Sequence, residues 1–126
     1  MIIGSINADR EAVLPLGVQN GAETQDYEAV IDTGFNGYLT LSSTEIIKLN
    51  LPFQSQVVVT LGEGTQANLR EFLATVNWNG QPRDILVLEA EGEPLVGMAL
   101  LYGSDVWLRI LDGGHVRIEA VPANGD

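Results

Sequence analysis

The sequence predicts an all-β fold: a closed or sandwich-like arrangement of eight or nine short strands with one or two short helices. Three observations predict it. Short apolar runs recur along the chain, separated by polar or glycine-rich turns, which is the pattern of a β-barrel or sandwich. Glycine is abundant, at 14 of 126 residues, and supplies those turns. Only one stretch, EIIKLN at residues 45–50, has helical character.

Residues 1–6 read as the first strand and NADRE as a turn. Residues 12–18 (AVLPLGV) are the second strand. Pro15 marks an edge or a bend there, because proline has no N–H to give to a central ladder. QNGAETQ is a polar turn whose Asn20-Gly21 pair is a hairpin signal. Residues 27–33 run as a strand into Gly34, and residues 37–41 resume as another. Ser42 or Ser43 can cap the helix that follows, and Glu45 sits in its first turn, where the helix dipole favours negative charge. Leu51-Pro52 ends it. Residues 56–61 and 70–78 form two arms of a hairpin with GEGTQAN between them, and Asn79-Gly80 turns the chain into residues 84–88. An AEGEP loop leads to the apolar run 95–101, which contains Gly97. Residues 106–111 and 115–121 form a closing hairpin around Asp112-Gly113-Gly114. Residues 1–121 are read as one domain and 122–126 as an unordered tail.

Composition narrows the function classes. The chain is 45% hydrophobic and 18% charged, with mean hydropathy +0.12, which is a globular composition. Net charge is −11. Binding a nucleic-acid backbone needs clustered cations, whereas the six basic residues are scattered in sequence, so no nucleic-acid partner is expected. The acidity reads first as solubility. It also implies that two copies repel one another most at low salt and neutral pH. Without cysteine there is no disulfide or thiolate chemistry. A single histidine, His115, makes a zinc site unexpected. The N-terminus lacks a basic start followed by a long apolar run, and no apolar stretch reaches the ~18 residues of a membrane span. The expectation is a cytoplasmic protein with no signal peptide and no membrane partner.

The chemistry lies in EAVIDTGFNGYLTL. Asp32-Thr33-Gly34 follows the apolar run Ala29-Val30-Ile31 and precedes another strand. That places a carboxylate at a strand end, beside a turn, backed by apolar residues. Gly34 permits an unusual or tightly approached backbone, and Thr33 supplies a hydroxyl. A bare Asp-Thr-Gly arises by chance in roughly a few per cent of chains this long, so the context decides its meaning.

The segment resembles the active-site loop of retropepsin-like aspartic proteases, in which two apolar residues precede Asp-Thr-Gly or Asp-Ser-Gly and a strand returns. The resemblance continues downstream. Leu95-Val96-Gly97 followed by Met98-Ala99-Leu100-Leu101 is similar to the family's second glycine motif and its short helix. Residues 57–76, with Gly62, Glu63 and Gly64 at the tip, are similar to the hairpin flap that closes over substrate. The order of these features is kept over nearly the whole chain. The chain resembles cellular or bacterial single-domain members more than the minimal viral enzymes. Phe35 stands where a small residue usually follows the triplet. Asn36 and Met98 stand where viral members place an Asp–Arg ion pair.

The resemblance implies an acid-protease-type β-barrel with a flap, and an aspartic endopeptidase acting on extended peptides without metal or organic cofactor. The chain holds one such triplet, so the second carboxylate has to come from a second copy about a two-fold axis. The resemblance further implies that Thr33 hydrogen-bonds across that axis. Two other readings compete. One is an inactive barrel of this fold that binds peptide or dimerises. The other is a hydrolase pairing Asp32 with Asp105 or Asp112 within one chain. Elsewhere, Trp78 and Trp107 read as core aromatics and His115 as a surface residue. Glu89, Glu91 and Glu93 read as a solvated acidic loop, and Glu63 as a solvated tip residue able to favour basic peptides.

Overall fold

The computed structural model describes residues 1–123. In chain order it contains β1 (Ile2–Ile6), β2 (Ala12–Asn20), β3 (Glu23–Ile31), β4 (Leu39–Leu41), α1 (Ser43–Lys48), β5 (Phe53–Thr60), β6 (Gln66–Trp78), β7 (Gln81–Glu89), β8 (Leu95–Val96), α2 (Met98–Leu101), β9 (Ser104–Leu108) and β10 (His115–Ala120).

Six of these strands close a barrel, as expected for this fold class. β2 pairs with β3, β3 runs parallel to β8, and β8 meets β4. β4 runs parallel to β7, β7 pairs with β6, and β6 returns to β2 through Val18↔Val76 and Gln19↔Thr75. Strand alternation fills the interior. Leu14, Leu16 and Val18 of β2 point inward with Leu39, Leu41, Val76, Val87 and Val96, all at most 2% exposed. Burying each such side chain contributes about 1.5–3 kcal/mol against the entropy of ordering it. Two extensions leave the barrel. β5 pairs with β6 to form a long hairpin, and β1, β10 and β9 continue outward from β2, with β9 as the last strand.

Several boundaries differ from expectation, the polar ones because polar residues carry strand ladders when their side chains reach solvent. The QNGAETQ turn shrinks to Gly21-Ala22, because Gln19↔Thr24 and Asn20↔Glu23 are paired and Gly21 takes φ 59°. β6 begins at Gln66, so the flap loop is only residues 61–65, and β7 begins at Gln81. The apolar run 95–101 divides at Gly97 into β8 and α2. The closing hairpin has its strand at Ser104–Leu108, and residues 109–114 form the turn. Ser42 is the helix cap, its Oγ accepting from Glu45 N–H at 3.4 Å. Trp78 is buried at 7%, whereas Trp107 is 42% exposed, against expectation. Trp107 stands on β9, the outermost strand of its extension, with the Arg109 and Arg117 guanidinium groups against its ring. Pro122 and Ala123 follow β10 as exposed residues without regular structure. The rest of the expected tail lies outside the described residues.

Candidate active site

Asp32 is the first residue after β3, and the loop it opens returns to β4. Its position is set by β8 alongside. Val30 N–H donates to Pro94 O and Asp32 N–H to Val96 O, both at 2.9 Å. β8 is in turn held by Thr40, a buried residue whose Oγ1 accepts the Leu95 N–H at 2.9 Å. Leu95 and Val96 thus serve as a rail for the catalytic candidate. The carboxylate is oriented locally: Gly34 N–H donates to Asp32 Oδ1 at 2.9 Å, and Phe35 N–H to Asp32 O at 3.1 Å. Asp32 is half-buried, while Thr33 and Gly34 are exposed on this single chain.

Gly97 locks the loop to α2. Gly97 N–H donates to Tyr38 O (3.1 Å), Met98 N–H to Phe35 O (2.8 Å) and Ala99 N–H to Gly37 O (3.1 Å). A Cβ on Gly97 would collide with Gly37 O and would lie 2.6 Å from Phe35 O and 2.5 Å from the Phe35 ring. A Cβ on Gly37 would meet the same ring. Phe35 is therefore accommodated by glycine at both places where its ring lies. The Asn36 and Met98 side chains form no ion pair. Backbone hydrogen bonds from Met98 and Ala99 join loop to helix instead.

A residue that sequence reasoning missed adds to this junction. Arg83 of β7 donates from Nη1 to Leu100 O (3.1 Å) and from Nη2 to Ala99 O (3.3 Å). Its guanidinium also stands 5.6 Å from the Tyr38 ring centroid. Charge-assisted bonds to carbonyls left unpaired at a helix end tie β7 to α2.

The flap hairpin β5–β6 turns through Leu61 N–H to Thr65 O (2.8 Å) and Gly64 N–H to Leu61 O (2.9 Å), with Gly64 at φ 91°. Glu63 Oε1 accepts from Thr65 Oγ1 at 2.7 Å, and nothing lies within 4 Å of a Cβ placed on Gly62. Between the hairpin and the Asp32 loop is a cleft of about 520 Å³ with Gly34 on its wall. Phe35, Tyr38, Val57, Val59, Leu86 and Leu88 make it largely apolar. Among the described residues Glu71 is the one carboxylate on its wall, and it accepts from Ser55 Oγ at 3.2 Å. A more open depression of about 610 Å³ lies on the outer face of β1, β2 and β3. The smaller cleft is the candidate, because the Asp32 loop and the flap both bound it.

Below the loop, Tyr27 Oη donates to Glu45 Oε1 at 2.9 Å and Lys48 lies 3.2 Å from Glu45 Oε2. The Tyr27 hydrogen bond, and then Lys48, holds the Glu45 carboxyl below its ordinary range despite some desolvation. Burial, reinforced by Glu45, pushes the Tyr27 phenol well above its own. Asp105 lies on β9 opposite Glu119, and Asp112 lies in the β9–β10 turn. Among the described residues neither shares a hydrogen bond with Asp32. No helix among the described residues is long and apolar enough to cross a membrane.

No protein-family model and no curated protein sequence matches the chain. Among solved structures, the chain is similar to a retropepsin-like aspartic protease from Rickettsia conorii, with a TM-score of 0.54 and 15% identity. The match covers 95% of this chain and 91% of that one. At that identity the likeness is one of fold: the chain is built on the barrel of a retropepsin-like aspartic protease.

Proposed function

We propose that the chain is an aspartic endopeptidase that works as a homodimer, each copy supplying one Asp32 to a shared pair. The supporting observation is the conjunction at one place in this fold. An Asp-Thr-Gly carboxylate is oriented by the Gly34 N–H, beside an apolar cleft and beneath a hairpin. Like charges about 3 Å apart cannot both ionise, so the two carboxylates share one proton. The ionised one takes a proton from water as the water attacks the scissile carbonyl. The protonated one hydrogen-bonds that carbonyl, and the roles then exchange: the carboxyl that took the water's proton gives it to the departing amine, without a covalent intermediate. The proton belongs to the pair, not to either copy.

Thr33, exposed on the single chain, hydrogen-bonds across the dimer axis in this reading, and Gly34 lets the loop approach substrate. The substrate lies extended under the flaps, with Gly62, Glu63 and Gly64 at their tips, and adds strand-like hydrogen bonds. The cleft suits apolar side chains, with Glu71 favouring a basic one beside it. A cytoplasmic location, carried over from the sequence reading, is part of the proposal.

The test is cleavage of a mixed peptide library from about pH 3 to 8, with wild type and Asp32→Asn side by side. Cleavage by the wild type alone is the expected result. A folded wild type that cleaves nothing, or a fully active Asp32→Asn, would overturn the proposal; the first result would favour an inactive peptide-binding barrel.

A further inference from the structure

Alternation along β10 divides its side chains between two faces. Val116 and Ile118 are buried in the core. His115 and Arg117 turn to the opposite face, where cross-strand register sets Trp107 of β9 against Arg117. Arg109, just past β9, is held beside His115 by its N–H, which donates to His115 O at 3.0 Å. Trp107, Arg109, His115 and Arg117 wall a hollow of about 250 Å³. Among the described residues no carboxylate lies on that wall. Asp105 and Glu119 stand on the far side of Arg117, around a neighbouring hollow of about 200 Å³.

The two guanidinium groups here have no anionic partner. The chain has six basic residues and 17 acidic ones. Lys48 and Arg70 are ion-paired with Glu45 and Glu89, and Arg83 donates to two carbonyls. Among the described residues Arg109 and Arg117 form neither an ion pair nor a side-chain hydrogen bond. Their guanidinium groups instead lie 5.3 and 4.4 Å from the centroid of the same Trp107 ring. Cation–π attraction holds each to the indole, yet it gathers two like charges at one place and leaves their donors unused. Arg117 Nε is buried with no hydrogen-bond partner, an orphaned donor of the kind that a ligand can satisfy. Arg10 makes the contrast. It also forms no ion pair among the described residues, but it stands exposed and by itself in the NADRE turn.

We propose that this hollow binds a small oxyanion of the phosphate or carboxylate class. Arg109 and Arg117 supply guanidinium donors, whose fork matches paired oxygens, and His115 supplies a ring nitrogen. Trp107 holds both guanidinium groups beside the hollow, so that little ordering remains to be done on binding. Two positive charges favour a doubly charged phosphate over a single carboxylate. The site stands apart from the protease reading, because neither Asp32 nor the flap cleft takes part in it.

The test is a titration of the full chain with sodium phosphate at fixed pH, with ionic strength held constant by chloride and sodium acetate run in parallel. Arginine Nε–Hε signals and the indole N–H signals are followed by NMR. The expected result is saturable movement of the Arg109, Arg117 and Trp107 signals while Arg10 stays in place. Arg109→Gln and Arg117→Gln should each weaken phosphate binding about tenfold, through loss of a charge-assisted hydrogen bond. Arg10→Gln makes the same change in net charge and should leave the affinity as it was. Arg117→Lys keeps the charge without the fork and should regain only part of the loss. Asp32→Asn should bind phosphate as the wild type does, so failure of the protease reading leaves this site standing. Tighter saturation by acetate than by phosphate would support the site and assign it to carboxylates. Signals that drift without saturating would overturn it, as would an Arg10→Gln protein weakened as much as the other two, because both report only screening of net charge.

Discussion

Replacing Gly97 with alanine tests the junction that holds the Asp32 loop. The added Cβ would collide with Gly37 O and crowd Phe35 O and the Phe35 ring. Two of these neighbours are backbone atoms, and both accept hydrogen bonds from α2, from Met98 N–H and Ala99 N–H. Relief requires the loop and helix to separate, so the cost belongs at the upper end for overpacking, about 3 kcal/mol. Unfolding entropy of about 2.1 cal/mol/K per residue over 126 residues converts this to a fall in Tm of about 11 °C. Thermal unfolding followed by circular dichroism at one protein concentration measures it, with concentration held fixed because dimers shift Tm by mass action. Gly62→Ala is the control. Nothing lies within 4 Å of its Cβ and its φ is not positive, so Tm should hold or rise slightly. A Gly97→Ala protein that melts within about 2 °C of wild type would refute the close approach, and with it the account of why glycine stands there.

Arg83→Ala removes two charge-assisted hydrogen bonds to the last turn of α2 and should cost about 1.5–3 kcal/mol; Arg83→Lys should recover only part of it, as denaturant titration would show. The Glu45 carboxyl is depressed by Tyr27 and Lys48, so its contribution is complete above the ordinary carboxyl value of 4.5 and is lost as pH falls through the lower folded value. Melting curves across that range should therefore decline more steeply for wild type than for Glu45→Gln, and parallel declines would count against the contact.

Local turn signals were legible in the sequence. The apolar run before Asp32-Thr33-Gly34 marked a strand end and a turn, whereas Gly97 stood out only through its resemblance to a family motif; the close approach of Gly97 to Gly37 O and the Phe35 ring comes from the structure. The NADRE turn was legible too, and Asn7 makes it: its Oδ1 accepts the Asp9 and Glu11 N–H groups. Features defined by what lies opposite in space were not legible. Arg83 binds backbone carbonyls, which carry no sequence signal. Val106 and Leu108 alternate like core residues, and only the strand order shows that β9 is an uncovered edge. Arg109 and Arg117 meet at Trp107 through cross-strand register, which spacing along the chain does not reveal. Polar strand ends such as Gln19 and Thr24 read as turn because solvent-facing ladder residues and loop residues share a composition.

The claim that one Asp32 from each copy completes a single catalytic pair is tested most directly by subunit mixing. Wild-type chain at constant concentration is equilibrated with a ninefold excess of Asp32→Asn chain, and peptide cleavage is measured. If both carboxylates are required, only wild-type pairs are active, and random exchange lowers activity about tenfold. Activity that stays unchanged would mean that each chain works alone, and would contradict the shared pair.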